Sequence, residues 1–222
     1  VTDLRRVDLR GLQVDEMELT PVLEHVDGGG VIVYPTETVY GIGCLLRPEP
    51  LGTLGRFKSR GPRSPFLVLV SGPESARGLV WTAAALEMAR VFWPGALTLV
   101  LADPGGRFPS AVRSMKGGVA IRRSSHPVAA RLVEGLGEPI VSTSANAHGE
   151  PPARTGDAAA TVARRVGAGA ETWVLDAGDL PWSPPSTIID CTAPIPAVVR
   201  EGSIPIERLR CAIPEIRGAA SD

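Results

Sequence analysis

Lysine is nearly absent from this 222-residue chain, occurring only at Lys58 and Lys116, so almost every cation is arginine. A GC-rich genome produces such a skew. Against that background, each remaining lysine is a candidate for a role of its own. Cysteine is also scarce: Cys44, Cys191 and Cys211 are an odd number, widely spaced, with no CxxC. That pattern argues against a disulfide framework or a zinc site, and fits reduced thiols in a cytoplasmic protein. The three histidines, His25, His126 and His148, leave little material for metal binding, and no metal site is expected. There is no surplus of either charge: Lys+Arg total 23 against Asp+Glu 24, a net of −1. The whole surface is therefore no magnet for nucleic acid, although a local basic groove remains compatible. No run approaches the roughly 20 apolar residues of a membrane span. No apolar run follows Arg5-Arg6, so no secretory signal is read there. The dinucleotide GxGxxG, the P-loop, HExxH and the GxSxG elbow are all missing, which excludes those signatures as written.

What is present is an ordinary globular composition, 44% hydrophobic and 21% charged, at a length that suits one domain. Short β-rich runs alternate with helical patterns, which predicts an α/β fold. Strands are expected at 31–34, 66–70, 97–101, 118–122, 139–141, 172–175, 187–190 and 197–199. Helices are expected at 14–26, 49–58, 82–92, 126–136 with Ser125 as cap, 154–166, and briefly near 206–209. Several apolar strands lack alternation, which predicts a sheet covered on both faces. Connections too short for a crossover helix predict mixed strand directions. Residues 1–12 or so read as an N-terminal extension, and about 211–222 as a tail expected to fray.

Four polar clusters sit at predicted strand ends, where open α/β sheets bind ligands. Thr36-Glu37-Thr38-Val39-Tyr40-Gly41-Ile42-Gly43 reads as a loop after the 31–34 strand: either a capped turn or a hydroxyl-rich ligand loop. Lys58-Ser59-Arg60-Gly61-Pro62-Arg63-Ser64-Pro65 concentrates cations on stiffened backbone, as a solvated basic loop or a polyanion site. Ser142-Thr143-Ser144-Ala145-Asn146 follows a strand, and continued extension would put Ser142 and Ser144 on one side. No histidine–acid pair is placed to make either serine a nucleophile. Ser186, before one strand, and Arg200, after the next, would meet if those strands form a hairpin, and Arg122 ends its strand similarly. None of the clusters supplies a strong general base. Together they suit charge neutralisation and positioning at a phosphate better than acid–base chemistry.

In that order, the motifs resemble the YrdC-type threonylcarbamoyl-AMP synthases. The resemblance runs from about Gly28 to about Ile206 through Pro35-Thr36-Glu37-Thr38-Val39-Tyr40-Gly41, Lys58-Ser59-Arg60, Trp93-Pro94-Gly95, Val119-Ala120-Ile121-Arg122, Ser142-Thr143-Ser144-Ala145-Asn146, Pro185-Ser186-Thr187 and Val199-Arg200-Glu201-Gly202. It implies one YrdC-like domain over 1–222: an open twisted mixed sheet with helices packed on it and a basic concave face. It implies a cytoplasmic nucleotidyltransferase that joins L-threonine, bicarbonate and ATP, with Mg²⁺, and releases pyrophosphate. A partner transferase would then carry the threonylcarbamoyl group to tRNA. By motif, Thr36, Arg122, Ser142 and Ser186 would face threonine. Arg60, Arg63, Ser64, Gly118, Ser144, Asn146 and Arg200 would face ATP, with Lys58 and Arg60 as the catalytic cations and Lys116 within reach of phosphate. Three departures stand out. Gly61 replaces the family's usual proline, Ser64 its second lysine, and Leu69 a frequent histidine. Many relatives carry an additional C-terminal domain, and this chain resembles the short form. The alternatives are a double-stranded-RNA or tRNA-binding module on the same scaffold, or an enzyme adenylating another carbamate.

Overall fold

Ten strands pair into one sheet in the computed structural model, which describes residues 4–58, 64–167 and 172–218. They are β1 (Arg5–Asp8), β2 (Val31–Pro35), β3 (Tyr40–Leu45), β4 (Leu67–Leu69), β5 (Leu97–Ala102), β6 (Gly118–Arg122), β7 (Ile140–Ser144), β8 (Thr172–Asp176), β9 (Thr187–Asp190) and β10 (Ala197–Arg200). Their order is β1-β8-β2-β3-β7-β4-β6-β5-β9-β10. Parallel pairs (β1·β8, β2·β8, β4·β6, β5·β9) mix with antiparallel ones. The architecture is the expected α/β one, an open twisted mixed sheet with basic residues on its concave face.

Six helices complete the described fold: α1 (Thr20–Asp27), α2 (Pro48–Lys58), α3 (Ala83–Phe92), α4 (Pro127–Leu136), α5 (Gly156–Gly167) and α6 (Ile206–Ala212). Leu54, Met88, Ala163 and Leu209 of α2, α3, α5 and α6 join one core with Val33, Ile42, Val68 and Leu99 of the sheet. On the other face, Val26 of α1 and Leu132 of α4 pack on Ile32, Tyr34, Leu45 and Ile140. Here the sheet departs from the expectation of two covered faces. Beyond Tyr34 and Ile140 the second face carries Leu67 and Leu69 but is otherwise rich in small or hydroxyl-bearing residues, among them Gly41, Ser142, Ser144, Ala120 and Thr98, which give a helix little to bury. That uncovered part becomes the concave site.

Local differences have local causes. The helix expected over 14–26 is a 3-10 turn at Val14–Glu16 followed by α1, with Pro21 in its first turn. Proline lacks the N–H and clashes with the preceding turn, so the helix starts there. His126 rather than Ser125 caps α4, its Nδ1 accepting from Val128 N at 3.3 Å. Residues 40–43, read as loop, belong to β3. Tyr40, Ile42 and Cys44 bury one side, while Gly41 and Gly43 leave room for the Tyr34 ring on the other. A Cβ at Gly43 would lie 2.8 Å from Tyr34 Cε1 and 2.6 Å from the Val141 carbonyl.

At the N-terminus, Arg5–Asp8 is an edge strand. Arg6 bonds the buried Asp176 through Nε at 2.9 Å and Nη2 at 2.5 Å. At the other end the expected fraying does not begin at 211. Ile213 and Ile216 are buried, and Arg217 exchanges backbone bonds with Pro196 and Val198.

Candidate active site

Three of the four polar clusters converge on the uncovered face around a cavity of about 540 Å³, within the range of small-ligand sites, and the 58–65 cluster adds Pro65. Antiparallel pairing sets Ser144 opposite Gly41 and Ser142 opposite Gly43, so two hydroxyls project where the facing strand has no side chain. The extension of β7 through Ser144 is what puts both serines on one side. Thr36, Arg122, Ser142, Ser144, Ser186 and Arg200 all line the cavity. Leu67, Leu69 and Ala120 give it an apolar floor.

Arg122 is buried at the end of β6. Its Nε donates to Glu37 Oε1 at 3.1 Å, and its Nη2 pairs with the same carboxylate. Ser124 donates its hydroxyl to the other Glu37 oxygen. Burial disfavours ionised Glu37, but the Arg122 charge and the hydrogen bonds from Ser124 and Arg122 outweigh it, holding the carboxyl below its ordinary range. A carboxyl lowered in the folded state stabilises the fold above its unfolded pKa, about 4.3 for Glu, and loses that contribution as pH falls through the folded value. Thermal midpoints taken from pH 6 to pH 2 should therefore fall more steeply in the parent than in Glu37→Gln. Parallel curves would remove Glu37 from the acid response.

Ser142 Oγ accepts from the Tyr34 phenol at 2.8 Å, and burial raises that phenol's pKa, so it stays a donor. Ser142 keeps its own proton to offer elsewhere. Thr36 Oγ1 donates to Val39 O at 2.6 Å and closes the β2–β3 turn, so it caps the turn and lines the cavity at once.

At the other wall, β9 and β10 form the hairpin that brings Arg200 to Ser186. Arg200 Nη2 donates to Ser186 O at 2.8 Å, and Thr98 shares a 3.0 Å bond with the Ser186 hydroxyl. Burial first, and the nearby positive charge of Arg122 second, lower the Arg200 pKa. Among the described residues, Arg200 is held by the carbonyl and hydroxyl of Ser186 rather than by a carboxylate. Gly202 is required here: a Cβ would stand 2.1 Å from Pro185 O.

Lys58, at the end of α2, is 4% exposed and lies outside the cavity lining. Its ammonium donates to Ser144 O (3.0 Å), Asn146 O (2.9 Å) and Asn146 Oδ1 (2.8 Å). Asn146 also takes the Ser144 hydroxyl at 2.6 Å and donates to Glu150 O, so it braces the turn after β7. Gly118 lies outside the lining, at the opposite end of β6 from Arg122, with its N–H on Ser114 Oγ at 3.0 Å. Ser64 is exposed beside Pro65, which does line the cavity. Arg60 and Arg63 fall outside the described residues.

The sequence reading passed over Arg154 and Thr98, both in the lining, and the ion pairing of Glu37. Arg154 had a signal of the kind noted at 60–63: a cation just after two prolines, Pro151-Pro152. Among the described residues no group of three or more His, Cys, Asp or Glu could hold a metal ion. The donors lining the cavity are guanidinium and hydroxyl groups, which suit phosphate and carboxylate oxygens rather than a divalent cation. No helix among the described residues is long and apolar enough to cross a membrane.

Known proteins resemble this chain in sequence and fold. The Sua5, YciO and YrdC family model, described as "Telomere recombination", matches residues 24–202. The threonylcarbamoyl-AMP synthase of Alkalilimnicola ehrlichii is 39% identical over 144 residues, covering 64% of this chain and 74% of that protein. The threonylcarbamoyl-AMP synthase of Pyrococcus abyssi is 30% identical over 211 residues, 92% of this chain but 60% of that protein. The crystal structure of P. abyssi Sua5 complexed with L-threonine has a TM-score of 0.84 at 28% identity, over 98% of this chain and 62% of that one. With the match extending from α1 to the Arg200 hairpin, and so across every described wall of the cavity, the chain belongs to the Sua5/YciO/YrdC family.

Proposed function

We propose that this protein is a threonylcarbamoyl-AMP synthase, condensing L-threonine, bicarbonate and ATP and releasing pyrophosphate. The observation that supports it best is that two guanidiniums, Arg122 and Arg200, line one hydroxyl-rich cavity. Arg122 is buried and paired with Glu37, whereas Arg200 is exposed and among the described residues pairs with no carboxylate, so the cavity keeps a positive charge that an anion would balance.

The reaction asks for that environment. The threonine amine adds to the carbon of bicarbonate, and water leaves, giving a carbamate. A carbamate oxygen attacks the α-phosphorus of ATP, and the bond to the bridging oxygen of pyrophosphate breaks. The nucleophile is already anionic, so the protein's work is to align it and to balance charge as pyrophosphate departs. In this reading Arg122, Thr36, Ser142 and Ser186 hold threonine. Arg200 and Ser144 meet the nucleotide, with Arg60 and Arg63 supplying further cations from the 58–65 segment. Mg²⁺ enters on the ATP phosphates as part of the substrate. The product would pass to a transferase that modifies tRNA.

The test is pyrophosphate release from ATP, bicarbonate and Mg²⁺, with and without L-threonine and with serine as control. Release that depends on threonine is the expected result. Folded protein that releases none, or responds equally to serine, would defeat the assignment.

A further inference from the structure

Residues 177–186 carry the chain from β8, second in the sheet order, to β9, ninth. In a flat sheet seven strand spacings make roughly 34 Å, while the segment reaches at most about 36–40 Å. Only the coiling of the sheet gives this strap slack. It supplies Ser183, Pro185 and Ser186 to the cavity wall. Yet it is poor in donors of its own, because Pro181, Pro184 and Pro185 have no N–H. Its carbonyls must find donors elsewhere. Those of Pro184 and Pro185 take the Ser203 hydroxyl, at 2.7 and 3.3 Å. Those of Pro181 and Ser183 take opposite prongs of one guanidinium: Arg154 Nη1 at 3.1 Å and Nη2 at 2.7 Å. Arg154 also accepts Leu180 N on its own carbonyl at 2.8 Å, and its guanidinium lies 6.0 Å from the ring centroid of the exposed Trp182.

We infer that Arg154 is a positioning residue that clamps the strap over residues 180–183 and so fixes the amino-acid end of the cavity. The assignment of that end to threonine rests on the proposed function, since Ser186 terminates the strap. Two carbonyls bound by one planar fork explain why arginine stands there. A lysine ammonium is a point charge on a flexible stem and does not reproduce the fork.

Arg154→Ala and Arg154→Lys are compared with the parent by pyrophosphate-release kinetics and by hydrogen exchange of the 177–186 peptide. The expected result in both variants is a rise of at least ten-fold in the KM for L-threonine. The KM for ATP and kcat should stay within about three-fold, and exchange should be faster in 177–186 with β2 and β3 unchanged. An unaltered threonine KM, an equal rise in both KM values, or full rescue by lysine would overturn the clamp. A parent enzyme without threonine-dependent release would sink the proposed function instead. The exchange comparison would still decide the clamp: unchanged protection of 177–186 in Arg154→Ala rejects it, and selective loss supports it.

Discussion

Arg122→Met should cut threonine-dependent pyrophosphate release by about 10²–10³-fold, the usual loss when one preorganised charge-stabilising donor is removed. The same substitution should destabilise the fold, because it strands Glu37. That carboxylate is 18% exposed at its side chain, and its cation is Arg122. Breaking such a pair costs about 3 kcal/mol, at the lower end of the range because Glu37 retains some water. Urea unfolding would read this as a lower midpoint with an unchanged slope. The double variant Arg122→Met/Glu37→Gln separates the two effects. Neutralising the stranded carboxylate should recover most of the stability and none of the activity. Recovery of activity in the double variant would mean that Arg122 serves only to neutralise Glu37 and does not meet substrate.

That pair also shows which parts of the site could be read from sequence. Arg122 was legible because a cation closing a buried strand is an anomaly within the strand itself. Its partner lies 85 residues earlier in the chain. The strand order β3-β7-β4-β6 and the 36–39 turn bring them together, and nothing local to either residue announces it. The Ser186–Arg200 contact was legible as a conditional, because two short strands in succession suggested the hairpin that β9 and β10 form. β3 was hidden for the opposite reason. Gly41 and Gly43 carry loop propensity, and what makes them strand residues is the Tyr34 ring packed over them from β2. Arg154 carried only the local signal of a cation after Pro151-Pro152, because the role inferred for it depends on a strap whose lack of N–H donors matters only once its path is known. Short-range chemistry thus survives in the sequence, while partners across the sheet and the open stretch of its second face emerge only with strand order.

Lys58 is where sequence and structure ask different questions, and one substitution answers both. As one of two lysines it was a candidate for a role of its own, and the family resemblance implied a catalytic cation beside Arg60. Folded, its ammonium sits on the Ser144 and Asn146 carbonyls and the Asn146 side chain, bracing the turn that presents the Ser144 hydroxyl. Lys58→Met keeps the stem and removes the donors. If bracing is its work, the change leaves three acceptors without the ammonium and should destabilise the protein by about 2–4 kcal/mol. The KM for ATP should rise as the 144–146 turn loosens. If the ammonium were instead held in reserve for a phosphate, the ligand-free protein would carry a buried charge at a cost, and methionine would make the fold more stable while activity fell. Activity declines in both cases, so the rate alone is uninformative. The sign of the stability change, from urea midpoints of ligand-free protein, discriminates. The geometry favours a loss, because a buried ammonium with three oxygens at 2.8–3.0 Å is already solvated by the fold.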